Sequence, residues 1–435
     1  MYGVTLALLI VVLSTSMAVA GESSAIPPDF KTSRPIRTPE SITVTVGQTQ
    51  GDFRGNDDKV IQSAIDYVYR FGGGTVQILP GTYEIRNSVY MSPRITLRGS
   101  GESTILRKCA SKTTKLIRDA DKWEFAVQVE NPDGFSVGGG VWFWSKTAAH
   151  DEITNKQHTI TAIKGNVLYL DRHVEWDYLV EDDANASTIF PVIRGIKADD
   201  IKIEDMNIDG NRSQNSYNRE DMNTAISLRY CNRAALKNLT VHDYNNDGIA
   251  FLISDDCTFD NVRSINNVRH GFHMGSGGMR PIFRNCTASG NGRIGFYLCY
   301  AANDVIIENC VASENKDFGI RFGHRDTDNI VRGCKIERNG QAGVAFQEED
   351  TPWCAPERNI IEKCLIRDNG EMGGVNIAFV TRDITIRGCT FENTGKGKQK
   401  VGIQIGRDVG KVTMENNKFI GAATQIEDLR QNTSK

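Results

Sequence analysis

Three residues with complementary chemistry recur at one interval along the chain. His273, Tyr297 and Arg321 lie 24 residues apart, and each stands two positions after a glycine. An imidazole and a phenol can exchange protons with a bound molecule, and a guanidinium can pair with a carboxylate. Side by side, these groups are suited to removing a proton from a carbon next to a carboxylate and to stabilising the negative charge that forms.

Carboxylates form a competing set. Asp247, Glu220, Asp221 and Asp326 lie just before or after the segments that carry the first set. Two carboxyl groups on either side of a glycosidic bond can perform inverting hydrolysis, with Asp247 paired to one of the other three. Acidic residues are also common in solvated turns, so both interpretations stay open at this level.

The spacing reflects a repeat in the C-terminal half of the chain. A glycine followed by an apolar, a variable and a second apolar residue recurs at intervals of 23, 24, 24, 24, 31 and 28 residues. These glycines are Gly248, Gly271, Gly295, Gly319, Gly343, Gly374 and Gly402. Short alternating strands with Gly and Asn turns, and without helix-length apolar faces, predict an all-β solenoid. We predict a right-handed parallel β-helix with an N-terminal capping helix and an inserted small β subdomain.

Alternation within each repeat predicts which side chains leave the core. The apolar residues on either side of the variable position point inward, so the variable residue points outward. Down the stack, the outward residues are Ser227, Ala250, His273, Tyr297, Arg321, Ala345, Asn376 and Gln404. His273, Tyr297 and Arg321 are therefore predicted on adjacent rungs of one exposed face, about 4.8 Å apart.

The predicted catalytic residues are Tyr297, His273 and Arg321. Arg321 would neutralise a carboxylate, while Tyr297 and His273 would divide the base and acid roles. The residues assigned to substrate binding near the same face are Arg229, His270, Asp247 and His324, together with Trp142 and Trp144. The two tryptophans would stack on a sugar ring; the alternative is that they belong to a small satellite core.

The N-terminal half predicts a cap and an insertion. Residues 57–71 carry an apolar helical stripe that ends at Gly72, and the strands after it would close the solenoid against edge pairing. Residues between 120 and 192 break the repeat. The predicted boundaries are 1–20 for a signal peptide, 21–50 for an N-terminal extension, 51–119 for the cap and first rungs, 120–192 for the inserted β-rich segment, 193–420 for the rungs and 421–435 for a C-terminal tail.

The cysteines follow the repeat. Five of the ten occur at the same point of successive repeats: Cys286, Cys310, Cys334, Cys364 and Cys389. A cysteine that recurs once per rung is predicted to be a buried, stacked small hydrophobe rather than a cross-link. No CxxC or HExxH spacing occurs, so no metal site is predicted.

Several phrases of the N-terminal part resemble the opening of the pectate-lyase-like right-handed parallel β-helix superfamily of secreted polysaccharide-acting enzymes. They are Gly51-Asp52, Asp57-Asp58, Ile61-Gln62, Ala64-Ile65, Gly72-Gly73-Gly74-Thr75-Val76, Leu79-Pro80-Gly81-Thr82-Tyr83 and Leu97-Arg98-Gly99. The resemblance implies the fold and a carbohydrate partner, and the leading substrates of the lyase hypothesis below are acidic polysaccharides, alginate or a pectin-like polymer. It does not decide the reaction, because the superfamily includes lyases, hydrolases, epimerases and phage tailspikes. Calcium occurs in the superfamily, but no dense carboxylate cluster requires it here, and we expect no required cofactor.

Two narrower resemblances are incomplete. Asp247, Asp255-Asp256 and His270 stand in phrases similar to motifs of polygalacturonase-type hydrolases, but Asp255 follows Asp247 by only eight residues and no Arg-Ile-Lys motif follows. The segments Asn246–Phe251 and Asn267–His273 are similar to rungs of mannuronan C5-epimerases, without the Tyr-Gly-Phe-Asp-Pro-His signature. The first hypothesis is therefore a polysaccharide lyase acting by β-elimination. The alternatives are an inverting glycoside hydrolase, a uronate C5-epimerase and a glycan-binding protein without turnover.

Composition and the first residues limit partners and location. A net charge of −3 over 435 residues, with 39% hydrophobic and 24% charged residues, is typical of a globular protein and lacks the basic footprint of a nucleic-acid binder. The apolar run at residues 4–12 and the ending Ala18-Val19-Ala20 predict a cleavable secretory signal, which is too short to span a membrane. We expect a secreted or periplasmic monomer without nucleic-acid or membrane partners.

Overall fold

The computed structural model describes residues 42–146, 157–217, 223–346 and 351–430. The predicted signal peptide and most of the predicted N-terminal extension lie outside these ranges, as do Glu220 and Asp221. The predictions made for those segments therefore stay predictions. In the described part of the chain, no helix is long and apolar enough to cross a membrane.

The predicted N-terminal helix is present as Asp58–Tyr69. Its apolar stripe is buried and packs against the strands Ile42–Gly47 and Gly74–Ile78. The helix is followed by the predicted glycines. Gly73 has a φ of +122°, and a Cβ there would lie 2.5 Å from the carbonyl oxygen of Arg94, so this position requires glycine.

Parallel strands from successive rungs form two long sheets. The first, which we call the site sheet, has 11 strands in the described residues. In chain order they are Val89–Met91, Ile193–Ile196, Ile226–Arg229, Ile249–Leu252, Phe272–Gly275, Phe296–Tyr300, Phe318–His324, Ala342–Phe346, Gly373–Ile377, Val401–Ile405 and Thr424–Asp428. Each strand pairs in parallel with the strand of the next rung, which confirms the predicted solenoid.

The second sheet wraps the other sides of the solenoid and has 21 strands in the described residues. They are Ile42–Gly47, Phe53–Arg54, Gly74–Ile78, Gly81–Ile85, Ile95–Arg98, Thr104–Lys108, Lys202–Asp209, Ala235–His242, Thr258–Ile265, Ile282–Arg284, Thr287–Ser289, Ile306–Glu308, Val311–Ser313, Ile330–Arg332, Lys335–Glu337, Ile360–Glu362, Leu365–Arg367, Ile384–Arg387, Thr390–Glu392, Val412–Glu415 and Lys418–Ile420. Short 3₁₀ helices are described at Val180–Asp182, Arg212–Gln214 and Pro352–Cys354.

The predicted insertion is an antiparallel sheet, which we call the insert sheet. Its described strands are Thr113–Lys115, Ala126–Gln128, Gly140–Trp144, Gln157–Lys164, Val167–Leu170 and Asn185–Ser187. It has a small hydrophobic core of its own, which includes Val127, Phe143 and Leu168. Its first strand begins at Thr113, a few residues before the predicted boundary at 120.

The core of the solenoid consists of stacked identical or similar side chains. Phe272 and Phe296, on neighbouring strands of the site sheet, stack with ring centroids 4.8 Å apart. Burial of each such side chain contributes about 1.5–3 kcal/mol to folding. The cysteines that recur once per rung are buried and unpaired, as predicted, and the amide of Cys286 donates to the sulfur of Cys310.

A ladder of buried amides runs along one corner of the solenoid through Asn267, Asn291, Asn315, Asn339, Asn369 and Gln399. In each of the first five, the side-chain nitrogen donates to the side-chain oxygen of the next rung. Asn315 also donates to the carbonyl of Ala288, at 3.0 Å. Each rung therefore supplies hydrogen-bond partners for buried polar groups of the neighbouring rungs.

Replacing Asn315 with alanine should destabilise the fold by about 3 kcal/mol or more, because it leaves several buried groups unpaired at roughly 1–3 kcal/mol each. Chemical unfolding followed by circular dichroism measures the change. Ser289→Ala is the matched control, because its half-buried hydroxyl bonds only to Ser313. An equal loss in both variants would contradict a special role of the ladder.

Candidate active site

The residues at the centre of the site, His273, Tyr297 and Arg321, lie on three adjacent strands of the site sheet; we call them the His-Tyr-Arg row. His273 is the direct register partner of Tyr297, and Tyr297 is that of Arg321. The rings of His273 and Tyr297 stack with centroids 5.1 Å apart. The predicted register of the three residues is therefore confirmed.

The row is less exposed than the sequence predicted. His273 is only 3% exposed, whereas Tyr297 and Arg321 are partly exposed. One cause is the insert sheet, whose Trp142 packs against Ala250, the residue that precedes His273 in the stack. The outward side of the solenoid is thus covered at the His273 end, and Tyr297 and Arg321 are the members of the row that a large molecule can reach.

Asp247 holds His273 from the preceding rung. One Asp247 carboxylate oxygen lies 2.8 Å from Nδ1 of His273, and the other accepts the backbone N–H of His270 at 2.9 Å. The Nε of Arg269 lies 3.9 Å from the same carboxylate. Asp247 is fully buried, so it acts through His273 and does not line a surface to which a substrate could bind.

The Asp247 and His273 pair is ionised. Burial alone would raise the pKa of Asp247, but the cations of His273 and Arg269 hold it below the usual range. Burial alone would lower the pKa of His273, but its contacts with Asp247 and Cys299 hold it well above the usual range. His273 is therefore an imidazolium at neutral pH, fixed by a carboxylate that cannot reach solvent.

His270 is a neutral partner beside this pair. Burial holds its pKa well below the usual range. Its Nδ1 accepts the backbone N–H of Ile294 at 3.3 Å, which leaves the proton on Nε2. Its ring lies 4.9 Å from that of Tyr297, so His270 packs behind the row and is too buried to contact a substrate directly.

Tyr297 is partly buried, with polar neighbours in the row and an apolar cluster beside its ring. Burial raises its pKa, the neighbouring Cys299 raises it further, and Arg321 opposes the shift. The ring packs beside the apolar cluster of Ile294, Phe318 and Ala345. The phenol is therefore protonated at neutral pH and ionises only in alkaline solution.

Arg321 is a cation without an acidic partner. Its guanidinium carbon lies 5.2 Å from the centre of the Phe318 ring, and its Nε is buried without a hydrogen-bond partner. Among the described residues, no carboxylate forms an ion pair with it. Many other arginines of the solenoid do pair with acidic residues, as Arg280 does with Asp256. Arg321 is thus available to an anionic group of a ligand.

The other predicted binding residues lie around the row at different depths. Arg229 is buried, with its guanidinium 5.3 Å from the ring of Tyr230. His324 is half-buried and is the register partner of Tyr300, whose ring is 5.9 Å away. Trp142 is 2% exposed and Trp144 is half-buried, and both line a pocket of about 370 Å³.

The two described carboxylates of the competing hypothesis, Asp247 and Asp326, are engaged inside the fold. Asp326 is fully buried and accepts the backbone N–H groups of Ala302 and Gly323, and burial raises its pKa to about 7. Asp255 and Asp256 lie at an exposed corner and pair with Arg280. Asp247 is fully buried as well, so neither Asp247 nor Asp326 faces a space that is open to a substrate.

Sequence reasoning missed two features of the site. It assigned Asp247 to substrate binding and did not predict its pairing with His273, 26 residues later. It also passed over Cys299, which stands two residues after Tyr297 and so faces the same side. The strict alternation of the strand was a signal that could have identified Cys299.

Metal ligands are not grouped in the part of the chain that the structure describes. There, no cluster of three or more His, Cys, Asp or Glu side chains is arranged to hold a metal ion. The expectation that no cofactor is required, with calcium compatible, remains a prediction.

Comparison with known proteins identifies the fold of the chain. Residues 224–370 match the family model described as a right handed beta helix region. The chain is thus a right-handed parallel β-helix protein, as predicted, and the resemblance to the pectate-lyase-like superfamily is confirmed at the level of the fold. A search of curated protein sequences finds no match.

Solved structures with the same fold have varied roles. The A-module of the mannuronan C-5 epimerase AlgE4 of Azotobacter vinelandii is 16% identical, with a TM-score of 0.56 over 86% of this chain and 94% of that one. The surface adhesin PfbA of Streptococcus pneumoniae is 13% identical, with a TM-score of 0.52 over 87% and 93%. At these identities the likeness is one of fold, and function must be argued from the site.

Proposed function

We propose that this protein is a polysaccharide lyase that cleaves a uronate-containing polysaccharide, alginate or a pectin-like polymer, by β-elimination. The observation that carries the proposal is the row itself, in which a partly exposed tyrosine lies in register between a fixed imidazolium and an arginine without an acidic partner. In that arrangement, positive groups lie beside the tyrosine, where they can stabilise the carboxylate of a uronate and the negative charge that develops when its C5 proton is removed.

Each residue has a distinct task in this reaction. Arg321 pairs with the uronate carboxylate and stabilises the negative charge that develops when the C5 proton leaves. Ionised Tyr297 takes that proton, the C4–O4 bond breaks, and a C4–C5 double bond forms. Tyr297 can return the proton to the departing O4, because it is the proton-transfer group of the row that is exposed to the substrate.

His273 supports this reaction from behind the tyrosine. Its Nε2 is buried, so it does not contact the sugar directly in this arrangement. As an imidazolium stacked on Tyr297, it favours the ionised phenol electrostatically and fixes the position of the ring. The base and acid roles that the sequence divided between the two residues are therefore assigned mainly to Tyr297.

An inverting hydrolase is less well supported. Both oxygens of Asp247 are bonded to His270 and His273, and both oxygens of Asp326 are bonded to backbone amides. Neither carboxylate has room to activate water. Glu220 and Asp221 lie outside the described residues.

A panel of alginate, polygalacturonate, glucuronan and neutral glycans tests the proposal. The purified protein should generate both reducing ends and the ultraviolet absorbance of an unsaturated sugar on one uronate polymer and on no neutral glycan. Reducing ends without absorbance would indicate hydrolysis. Epimerisation without cleavage, detected by proton NMR, would support the proposed abstraction of the C5 proton but would contradict the proposed elimination.

Arg321→Gln should lower kcat/KM on the preferred uronate polymer by about 100- to 1,000-fold, as expected for removing a charge that stabilises the transition state. Arg321→Lys should retain part of the activity. Arg325→Gln is the matched control, because Arg325 is an exposed arginine four residues further along the chain. Equal losses for Arg321→Gln and Arg325→Gln would contradict the assignment.

A further inference from the structure

A thiol lies next to the two proton-transfer groups of the row. Cys299 belongs to the strand Phe296–Tyr300, in which Phe296 and Leu298 point into the core. By alternation, Cys299 faces the same outward side as Tyr297. It is partly exposed, unlike the buried cysteines that stack inside the solenoid.

The free nitrogen of His273 is turned toward this thiol. Nδ1 is held by Asp247, so Nε2 lies on the far edge of the ring, buried and without a hydrogen-bond partner in the described part of the chain. A Cβ built on Gly275 would lie 3.8 Å from this Nε2. Gly275 follows Met274, the register partner of Leu298, so it stands beside Cys299.

Gly275 keeps the space next to the thiol open. A side chain at this position would contact Leu252 at 3.1 Å and would crowd the imidazole. Electrostatic contact between the two groups is also evident, because Cys299 contributes to the raised pKa of His273 after the opposing effect of burial. The order carboxylate, imidazole, thiol is the arrangement that activates a cysteine nucleophile.

We propose that Cys299 is a nucleophilic thiol, paired with the imidazolium of His273, whose ligand is a small anionic disulfide. The anionic character follows from His273, which faces the thiol, and from Arg321, the register partner of Tyr297. The nearby carboxylates of Asp247 and Asp326 are buried and are bonded to His273 and to backbone amides. The site is separate in function from glycan cleavage and needs no sugar.

The reaction is a thiol–disulfide exchange. Cys299 gives up its proton to solvent, its sulfur attacks one sulfur of the small disulfide while the imidazolium of His273 stabilises the thiolate, and a new S–S bond forms as the old one breaks. The departing thiolate takes a proton from solvent, so His273 stays an imidazolium throughout. Cys299 is oxidised, the small disulfide is reduced, and the adduct lies beside Tyr297, where it would block a polymer from the row.

Oxidised glutathione is the probe for the folded, full-length protein, with adducts quantified for each cysteine by peptide mass spectrometry. Cys354 and Cys109 serve as internal controls, because both are partly exposed and no histidine contact is described for either; Cys109 differs in having the Lys108 Nζ 3.4 Å from its sulfur, so Cys354 is the stricter of the two. At neutral pH, Cys299 should form its adduct about tenfold faster than either control, as expected for a thiol beside an imidazolium. A rate no higher than that of the controls would overturn the proposal.

Two further measurements distinguish activation of the Cys299 thiol from simple electrostatic attraction of the anionic disulfide. Neutral iodoacetamide should show the same preference for Cys299; a preference limited to glutathione would refute an activated thiol. The double variant Asp247→Asn with His273→Gln should slow Cys299 to the rate of Cys354 without changing Cys354. Reaction of buried cysteines such as Cys334 in that variant would show that it has unfolded. The proposal is then tested by the rate of Cys299 relative to the control cysteines in the wild-type protein. No glycan is present, so the result is independent of the lyase assay.

Discussion

Replacing Tyr297 with phenylalanine is expected to lower turnover of the uronate polymer by about 100- to 10,000-fold, the range that a positioned proton-transfer group contributes. The variant keeps the ring, its stacking on His273 and its packing beside Phe318, so the melting temperature should change little. Initial rates of the rise in ultraviolet absorbance measure the loss.

Tyr300→Phe is the matched control for this change. Tyr300 lies in the same strand, is 44% exposed and takes no part in the row. The pH profile gives a second readout: because burial raises the pKa of Tyr297, the wild-type rate should climb as the pH rises above neutrality. Activity retained in Tyr297→Phe, or a rate that peaks in acid, would show that another group removes the proton.

The positions of the row residues on the rungs were predictable because the sequence has two periods, the alternation within each strand and the repeat from rung to rung. Strand alternation decides which residues face outward, and the regular repeat decides which outward residues become neighbours. His273, Tyr297 and Arg321 follow from these two rules alone. The same reasoning predicted the buried cysteines, because a residue that returns at one point of each rung must stack on its own copies.

The burial of the site was not predictable in this way. The covering residue, Trp142, comes from an insertion that precedes His273 by more than a hundred positions and follows no repeat. The pairing of Asp247 with His273 depends on side-chain rotamers at a corner, where the alternation rule does not apply. Sequence therefore located the row, whereas packing between distant segments decided which of its members can contact a substrate.

Asp247→Asn is expected to lower the free energy of unfolding at neutral pH by about 3–5 kcal/mol, the cost of removing one partner of a buried ion pair. Activity should fall as well, because the imidazolium beside Tyr297 loses the carboxylate that keeps it protonated. Asp255→Asn is the control; asparagine keeps an oxygen for the Met279 N–H, and the lost partly exposed ion pair with Arg280 should contribute no more than about 1 kcal/mol. The double variant with His273→Gln should recover part of the loss, since neither charge is then left buried alone.

The pH dependence of that difference tests the pair directly. The pKa of Asp247 is lowered by folding, so its contribution is complete above the ordinary aspartate value of 3.8 and is lost as the pH falls toward the folded value. The pKa of His273 is raised, so its contribution is complete below 6.5 and is lost as the pH rises through the folded value. The difference in the free energy of unfolding between wild type and Asp247→Asn should therefore be largest between pH 3.8 and pH 6.5. It should become smaller at lower and at higher pH. A gap that does not change with pH would mean that Asp247 supports the fold by packing and hydrogen bonding alone, and that His273 need not be charged beside Tyr297.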